Sequence, residues 1–219
     1  KVPSIERRVK TFHELAKRLG PLRVVWRYDP IIVTPNTGYD FHAANFERLA
    51  DLLNGATRRV VISVVDLYRK TNRRMAALTH DGFRIDKDVA VSNEMRQLLR
   101  HISQAAASRG IEAFSCAEEH DFTDAGVRPG SCIDCDLITA LGGCVSAKKD
   151  PGQRPACRCV TSRDIGINDT CLHECPYCYS TRNNELARQR YSQHDPFSPV
   201  LFGHAAEPDS KVGQQLKLL

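Results

Sequence analysis

The chain has 219 residues, 42% of them apolar and 26% charged, and a formal net charge of +5. That length fits one medium domain able to bury roughly 70% of the surface its unfolded form exposes, and the charge permits an anionic partner without demanding one. No run approaches the roughly 20 apolar residues of a membrane helix and no charged-then-apolar leader opens the sequence, so the expectation is a cytoplasmic protein with no membrane partner.

In chain order, Ile5, Val9, Phe12, Leu15 and Leu19 recur at helical spacing, with Ser4 as N-cap and Gly20-Pro21 as the stop. The run from Arg23 to Pro30 is short, apolar at its centre and closed by proline, as a buried strand is. After a loop marked by Pro35, Asn36 and Gly38, Phe41, Phe46, Leu49, Ala50 and Leu53 predict a second helix stopped at Gly55. Residues 59–66 read as a second buried strand, a long helix follows from about Val91 to Arg109, and residues 111–116 make a third strand.

Short strands without period-two alternation, separated by helices, imply a parallel sheet in an α/β fold. The expected architecture is a TIM-like β/α part-barrel over residues 1–130. Its first element is a helix with no strand before it, so an amino-terminal portion is expected to be missing. Residues 131–219 form an irregular, cysteine-rich, cluster-binding segment expected to pack on the same domain, with one short helix from Asn184 to Tyr191.

In parallel α/β folds the carboxyl ends of the strands open onto one face. Arg27 and Asp29 after the first strand, Asp66 after the second, and Glu118 with Glu119 after the third are therefore candidate pocket residues. The plainer reading of each is capping or loop solvation. The basic run Arg69, Lys70, Arg73 and Arg74 could contact phosphates, but a solvated helix face is the simpler account, and a nucleic-acid partner is weakly supported.

Eight of the nine cysteines lie between Cys132 and Cys178, the exception being Cys116. Clustered cysteines in a chain with no sign of export point to metal rather than to a disulfide framework. Cys171, Cys175 and Cys178 have the spacing C-x3-C-x2-C, with Tyr177 just before the last. Three thiolates on one tight loop suit three irons of a 4Fe-4S cluster and leave the fourth iron for another ligand. Cys157 and Cys159, shortly before the loop, are candidates for a fourth ligand or, with Cys116 and Cys132, for a second site. Structural zinc held by Cys132 and Cys135 with Cys157 and Cys159, or with the later three, is the competing chemistry.

The cysteine spacing and its aromatic residue resemble the signature of the radical S-adenosylmethionine superfamily, and Cys175-Pro176-Tyr177-Cys178-Tyr179 is similar to the loop of spore photoproduct lyase. A wider resemblance runs through Val24 to Pro30, Val64 to Thr71, Ser115 to Glu119, Cys132 to Asp134, Gln153 to Cys159, Asp164 to Gly166 and His194 to Pro196. Together these resemble the family catalogued as domain of unknown function 1848, whose members bear such a cluster near the carboxyl end.

The resemblance implies that S-adenosylmethionine chelates the open iron, that one cluster electron cleaves it to a deoxyadenosyl radical, and that Tyr177 belongs to the cofactor loop. It also implies a reductant such as flavodoxin or ferredoxin, and it names no substrate. Radical enzymes usually follow the cluster loop with a Gly-Gly-acid segment, whereas here the only paired glycines, Gly142 and Gly143, precede it. The alternative function is a non-radical iron-sulfur electron-transfer or binding module, closed by a fourth cysteine.

Overall fold

The computed structural model describes residues 2–65, 71, 74–76 and 89–202. They divide into two units, one of residues 3–163 and one of Val2 with the residues from Asp164 onward.

The larger unit opens with helix α1 (Ile5–Leu19), begun where Ser4 Oγ accepts the Arg7 N–H and ended where Gly20, at φ 87°, donates to Ala16 O at 2.8 Å. There follow β1 (Trp26–Ile31), α2 (Tyr39–Leu52), β2 (Arg59–Val64), α3 (Asn93–Ala107) and β3 (Glu112–Cys116). Ser92 caps α3, its hydroxyl accepting from Met95 N at 3.0 Å. The strand β4 (Arg128–Gly130) and the short helix α4 (Cys135–Ala140) have no counterpart among the elements expected from the sequence. Three residues that include Pro129 and Gly130 carry no apolar run. The backbone ladder to β3 makes them a strand, and a Cβ on Gly130 would stand 2.8 Å from Phe114 Cβ.

The four strands among the described residues are parallel and lie side by side in chain order, which bears out the α/β expectation. Arg27 pairs with Val61, Val61 with Phe114, and Phe114 with Arg128, so these four residues form one row across the sheet. Successive side chains on a strand point to opposite faces. Trp26, Tyr28, Val60, Ile62, Val64 and Ala113 take one face and pack with residues of α2 and α3, including Phe46, Met95, Leu99 and Ile102, in the main core. Trp26 stacks on Phe46 at 4.7 Å and Tyr28 meets it edge-on at 5.2 Å. The other face, away from this core, carries Arg27, Arg59 and Phe114.

In the second unit, α5 (Asn184–Ser192) is capped by Asn183, whose Oδ1 accepts from Glu185 N at 2.9 Å and Leu186 N at 3.1 Å. Among the described residues no helix is long and apolar enough to cross a membrane.

Candidate thiolate sites

The face of the sheet opposite the main core gathers two of the expected pocket residues. Arg27 spans Asp29 and Cys132: Nε donates to Asp29 Oδ1 at 3.2 Å, Nη2 pairs with Oδ2, and Nη1 donates to Cys132 Sγ at 2.7 Å. Cys116, at the end of β3, lies 3.2 Å sulfur to sulfur from Cys132. Two thiols so close share one negative charge. Hydrogen bonding from Cys116, then the Arg27 guanidinium, pushes the Cys132 thiol down to about 5, while the same contact and burial push Cys116 up. Of the two sulfurs, Cys132 is the one whose thiolate is favoured, because it also accepts from Arg27. Arg27 in turn is held more firmly protonated, first by Asp29.

Beside this pair, Arg59 lies 3.8 Å above the Phe114 ring and pairs with Asp134 at 2.6 Å. Asp134 also caps α4, accepting from Asp136 N and Leu137 N. One carboxylate thus anchors the segment that carries Cys132 to β2. The hairpin-like stretch beyond α4 returns the chain to the same place. Lys149 bridges Val160, Asp150 N donates to Cys159 O at 3.0 Å, and Val160 N donates to Ile133 O at 3.1 Å. Cys157 and Cys159 are buried here, at 7% and 6% exposure, yet belong to neither apolar cluster of the unit. Cys159 Sγ accepts from Ile133 N at 3.4 Å, and Cys159 N points at Cys157 Sγ at 3.5 Å.

Glu118 keeps other company. Its carboxylate accepts from Val64 N at 2.8 Å, capping the end of β2, and it lines a cavity of about 310 Å³ with Glu119, His120 and Arg154. Asp66 and, of the basic run, Arg69, Lys70 and Arg73 lie outside the described residues. A second cavity, about 420 Å³, lies between α1, α2 and β1 and is lined by Arg27, Tyr28, Asp29 and His42 among others. The paired glycines end α4: Gly142 sits at φ 83° and Gly143 N donates to Ile138 O at 2.9 Å, a helix stop of the Schellman kind.

In the carboxyl-terminal unit Cys171, Cys175 and Cys178 share one loop, with Cys171 and Cys175 exposed and Cys178 half-buried. Asp169, 3% exposed, closes the base of that loop. Its carboxylate accepts from Arg182 N at 2.6 Å and Asn183 N at 3.1 Å, and its own N–H donates to Ser180 O. These donors, first the Arg182 amide, hold its carboxyl below the usual range. Inside the loop Cys178 N donates to Cys175 O at 2.9 Å, Thr181 N donates to Cys178 Sγ at 3.2 Å, and Glu174 pairs with Arg188. Glu174 and Asp169 adopt left-handed backbone at φ 57° and 55°, as does Ala117 beside Cys116 at φ 53°. Non-glycine residues rarely adopt this conformation, and such strain gathers at functional loops. No sequence signal marked Asp169, because its partners follow the cysteines it encloses.

None of the nine cysteines forms a disulfide. Among the described residues no three His, Cys, Asp or Glu side chains already stand around one point as a metal shell. The donor chemistry nonetheless suits soft metals: cysteine thiols, several of them receiving N–H bonds, on short loops. Neither a curated protein nor a solved structure matches the chain. Residues 1–180, which span the whole sheet unit and the three-cysteine loop, match the family described as domain of unknown function (DUF1848), and the chain belongs to that family.

Proposed function

We propose that this protein is a radical S-adenosylmethionine-like iron-sulfur enzyme, with a 4Fe-4S cluster held by Cys171, Cys175 and Cys178 and the fourth iron open to S-adenosylmethionine. The observation that carries the reading is the clasped loop, in which three cysteines sit on one short turn-rich segment closed at its base by Asp169. Cys171 and Cys175 face solvent and can take up a cluster from outside. Cys178 is oriented by the Thr181 N–H, a bond that strengthens when the sulfur becomes a thiolate. The Glu174–Arg188 pair steadies the turn before Cys175. When bound, the cluster supplies the electron that cleaves S-adenosylmethionine, and the protein's task is to hold and orient the reactants.

Parallel strands that follow one another in chain order are what consecutive barrel strands look like, so a TIM-like part-barrel is the architecture we favour for the sheet unit. The cavity lined by Glu118, Glu119 and His120 lies at strand ends, where such folds bind substrate. We place the protein in the cytoplasm, where thiols stay reduced, with a flavodoxin- or ferredoxin-class reductant. A cluster closed by Cys157 or Cys159 is the weaker reading, because both cysteines belong to the sheet unit, where the Ile133 N–H engages Cys159 and the Cys159 N–H engages Cys157.

Anaerobic reconstitution tests the proposal. About four irons and four sulfides per chain are expected, and they should be lost on replacing Cys171, Cys175 or Cys178 by alanine. The reduced protein should cleave S-adenosylmethionine to 5′-deoxyadenosine, and the added cofactor should shift the paramagnetic resonance of the cluster. A fully loaded protein that does neither rejects the radical reading, and failure to take up iron and sulfide rejects the cluster.

A further inference from the structure

We propose that the sheet unit holds a metal centre of its own, in which Cys116, Cys132, Cys157 and Cys159 bind one soft divalent cation of the zinc class. The thiols run as a chain of contacts around one peptide. Cys116 touches Cys132 at 3.2 Å, the N–H of the next residue, Ile133, reaches Cys159 at 3.4 Å, and the Cys159 N–H faces Cys157 at 3.5 Å. The sequence reading of zinc gave Cys132 the neighbouring Cys135. The fold gives it Cys116 instead, because Cys116 and Gly130 are paired residues of adjacent strands and Cys132 follows two residues later.

Cys157 and Cys159 are buried, and a backbone N–H is directed at each sulfur. N–H bonds to sulfur stabilise thiolate rather than thiol, which is the state a metal requires. Charge points the same way. Four thiolates around a dication leave two negative charges, and Arg27 donates to Cys132 at 2.7 Å.

Distance selects a single ion. Two thiolates on one tetrahedral zinc with bonds of about 2.3 Å stand about 3.8 Å apart, so the 3.2 Å pair needs only a small opening. A disulfide would need the sulfurs at about 2.05 Å, a closure of more than an ångström that leaves Cys157 and Cys159 unused. Ligands of a cube-shaped cluster bind different irons and stand farther apart than thiolates that share one ion. The site would also serve the fold: residues 131–163 contain only one short helix, and ligands from two strand ends and a hairpin would staple that stretch to the sheet.

The test uses the full chain with Cys171, Cys175 and Cys178 all replaced by alanine, which removes the proposed cluster and leaves this site intact. Purified anaerobically, it should carry about one zinc per chain. Cobalt(II) substituted for zinc should show thiolate-to-metal charge-transfer bands and a tetrahedral visible spectrum, and cadmium-113 should give one resonance in the all-thiolate range. Adding Cys132→Ser or Cys159→Ser should weaken cobalt binding more than tenfold. In the otherwise unaltered chain, Cys132→Ser should leave iron and sulfide on the later loop, so the two sites succeed or fail separately.

The proposal is overturned if the loop variant binds no zinc or cobalt and all six remaining thiols react freely with a thiol reagent. A Cys116–Cys132 disulfide in the anaerobic protein, or iron and sulfide in place of zinc in the loop variant, overturns it equally. The cadmium measurement needs no substitution within the site, so misfolding of the serine variants cannot decide the outcome.

Discussion

Arg27 and Cys132 are separated by 105 residues and meet with a guanidinium nitrogen 2.7 Å from the sulfur. The other edge of the same guanidinium is held by Asp29. Arg27 thus stands to the thiols as an outer partner that offsets charge and fixes one sulfur.

Replacing Arg27 by Gln should therefore weaken cobalt(II) binding to the variant lacking Cys171, Cys175 and Cys178 by about tenfold, the lower end of what loss of an outer-sphere partner costs. Arg27→Lys keeps the charge but cannot bridge Asp29 and Cys132 with one rigid fork, so it should recover only part of the loss. Titration of cobalt followed by its charge-transfer band measures both. Equal affinities in all three proteins would detach Arg27 from the site.

Asp169 should control cluster loading without touching a ligand. Asp169→Ala strands the N–H groups of Arg182 and Asn183, at a cost of about 1–3 kcal/mol each where water cannot reach them, and frees the base of the cysteine loop. Iron per chain after reconstitution should fall several-fold. Asp169→Asn keeps one acceptor oxygen and should load to an intermediate level. Full loading in the alanine variant would show that the clasp is dispensable.

His42 makes the sheet unit sensitive to acid. Its Nε2 lies 3.1 Å from Ile32 O, which can only accept, so Nε2 carries the proton and Nδ1 accepts from the Tyr28 hydroxyl at 2.9 Å. Burial pushes the ring below its ordinary value of 6.5. The unfolded chain therefore takes up the proton first. Stability is full above about pH 6.5 and falls as pH drops below it, by at most about 1.4 kcal/mol per pH unit, levelling off once the folded ring also titrates. Urea midpoints between about pH 7 and about pH 5 should show this slope, and His42→Gln should flatten it.

Phe46 joins α2 to the sheet through both Trp26 and Tyr28 and is fully buried. Phe46→Ala should cost about 3–5 kcal/mol, read as a lowered urea midpoint at unchanged slope. Phe46→Leu should cost distinctly less, since it keeps most of the volume.

How much of this was legible beforehand follows from the range of each interaction. Helical periodicity, the Ser4 cap and the Gly20 stop lie within a few residues of one another, and they placed α1 correctly from the sequence. Buried apolar runs between helices likewise placed β1, β2 and β3 and their parallel arrangement. The strand β4 was illegible because Arg128-Pro129-Gly130 has no apolar pattern and is a strand only by pairing with β3. Glu118 was legible as a strand-end residue, but its bond to Val64 N depends on where β2 ends.

The cysteines divide along the same line. By itself the sequence determined that three thiols share a loop with cluster spacing, because Cys171, Cys175 and Cys178 are neighbours along the backbone. Only the tertiary structure decided that Cys132 belongs with Cys116 rather than Cys135, and that Arg27 serves it. The physical reason is the parallel sheet: its connections carry residues far apart in the chain to adjacent strand ends, and spacing along the backbone says nothing of which ends become neighbours.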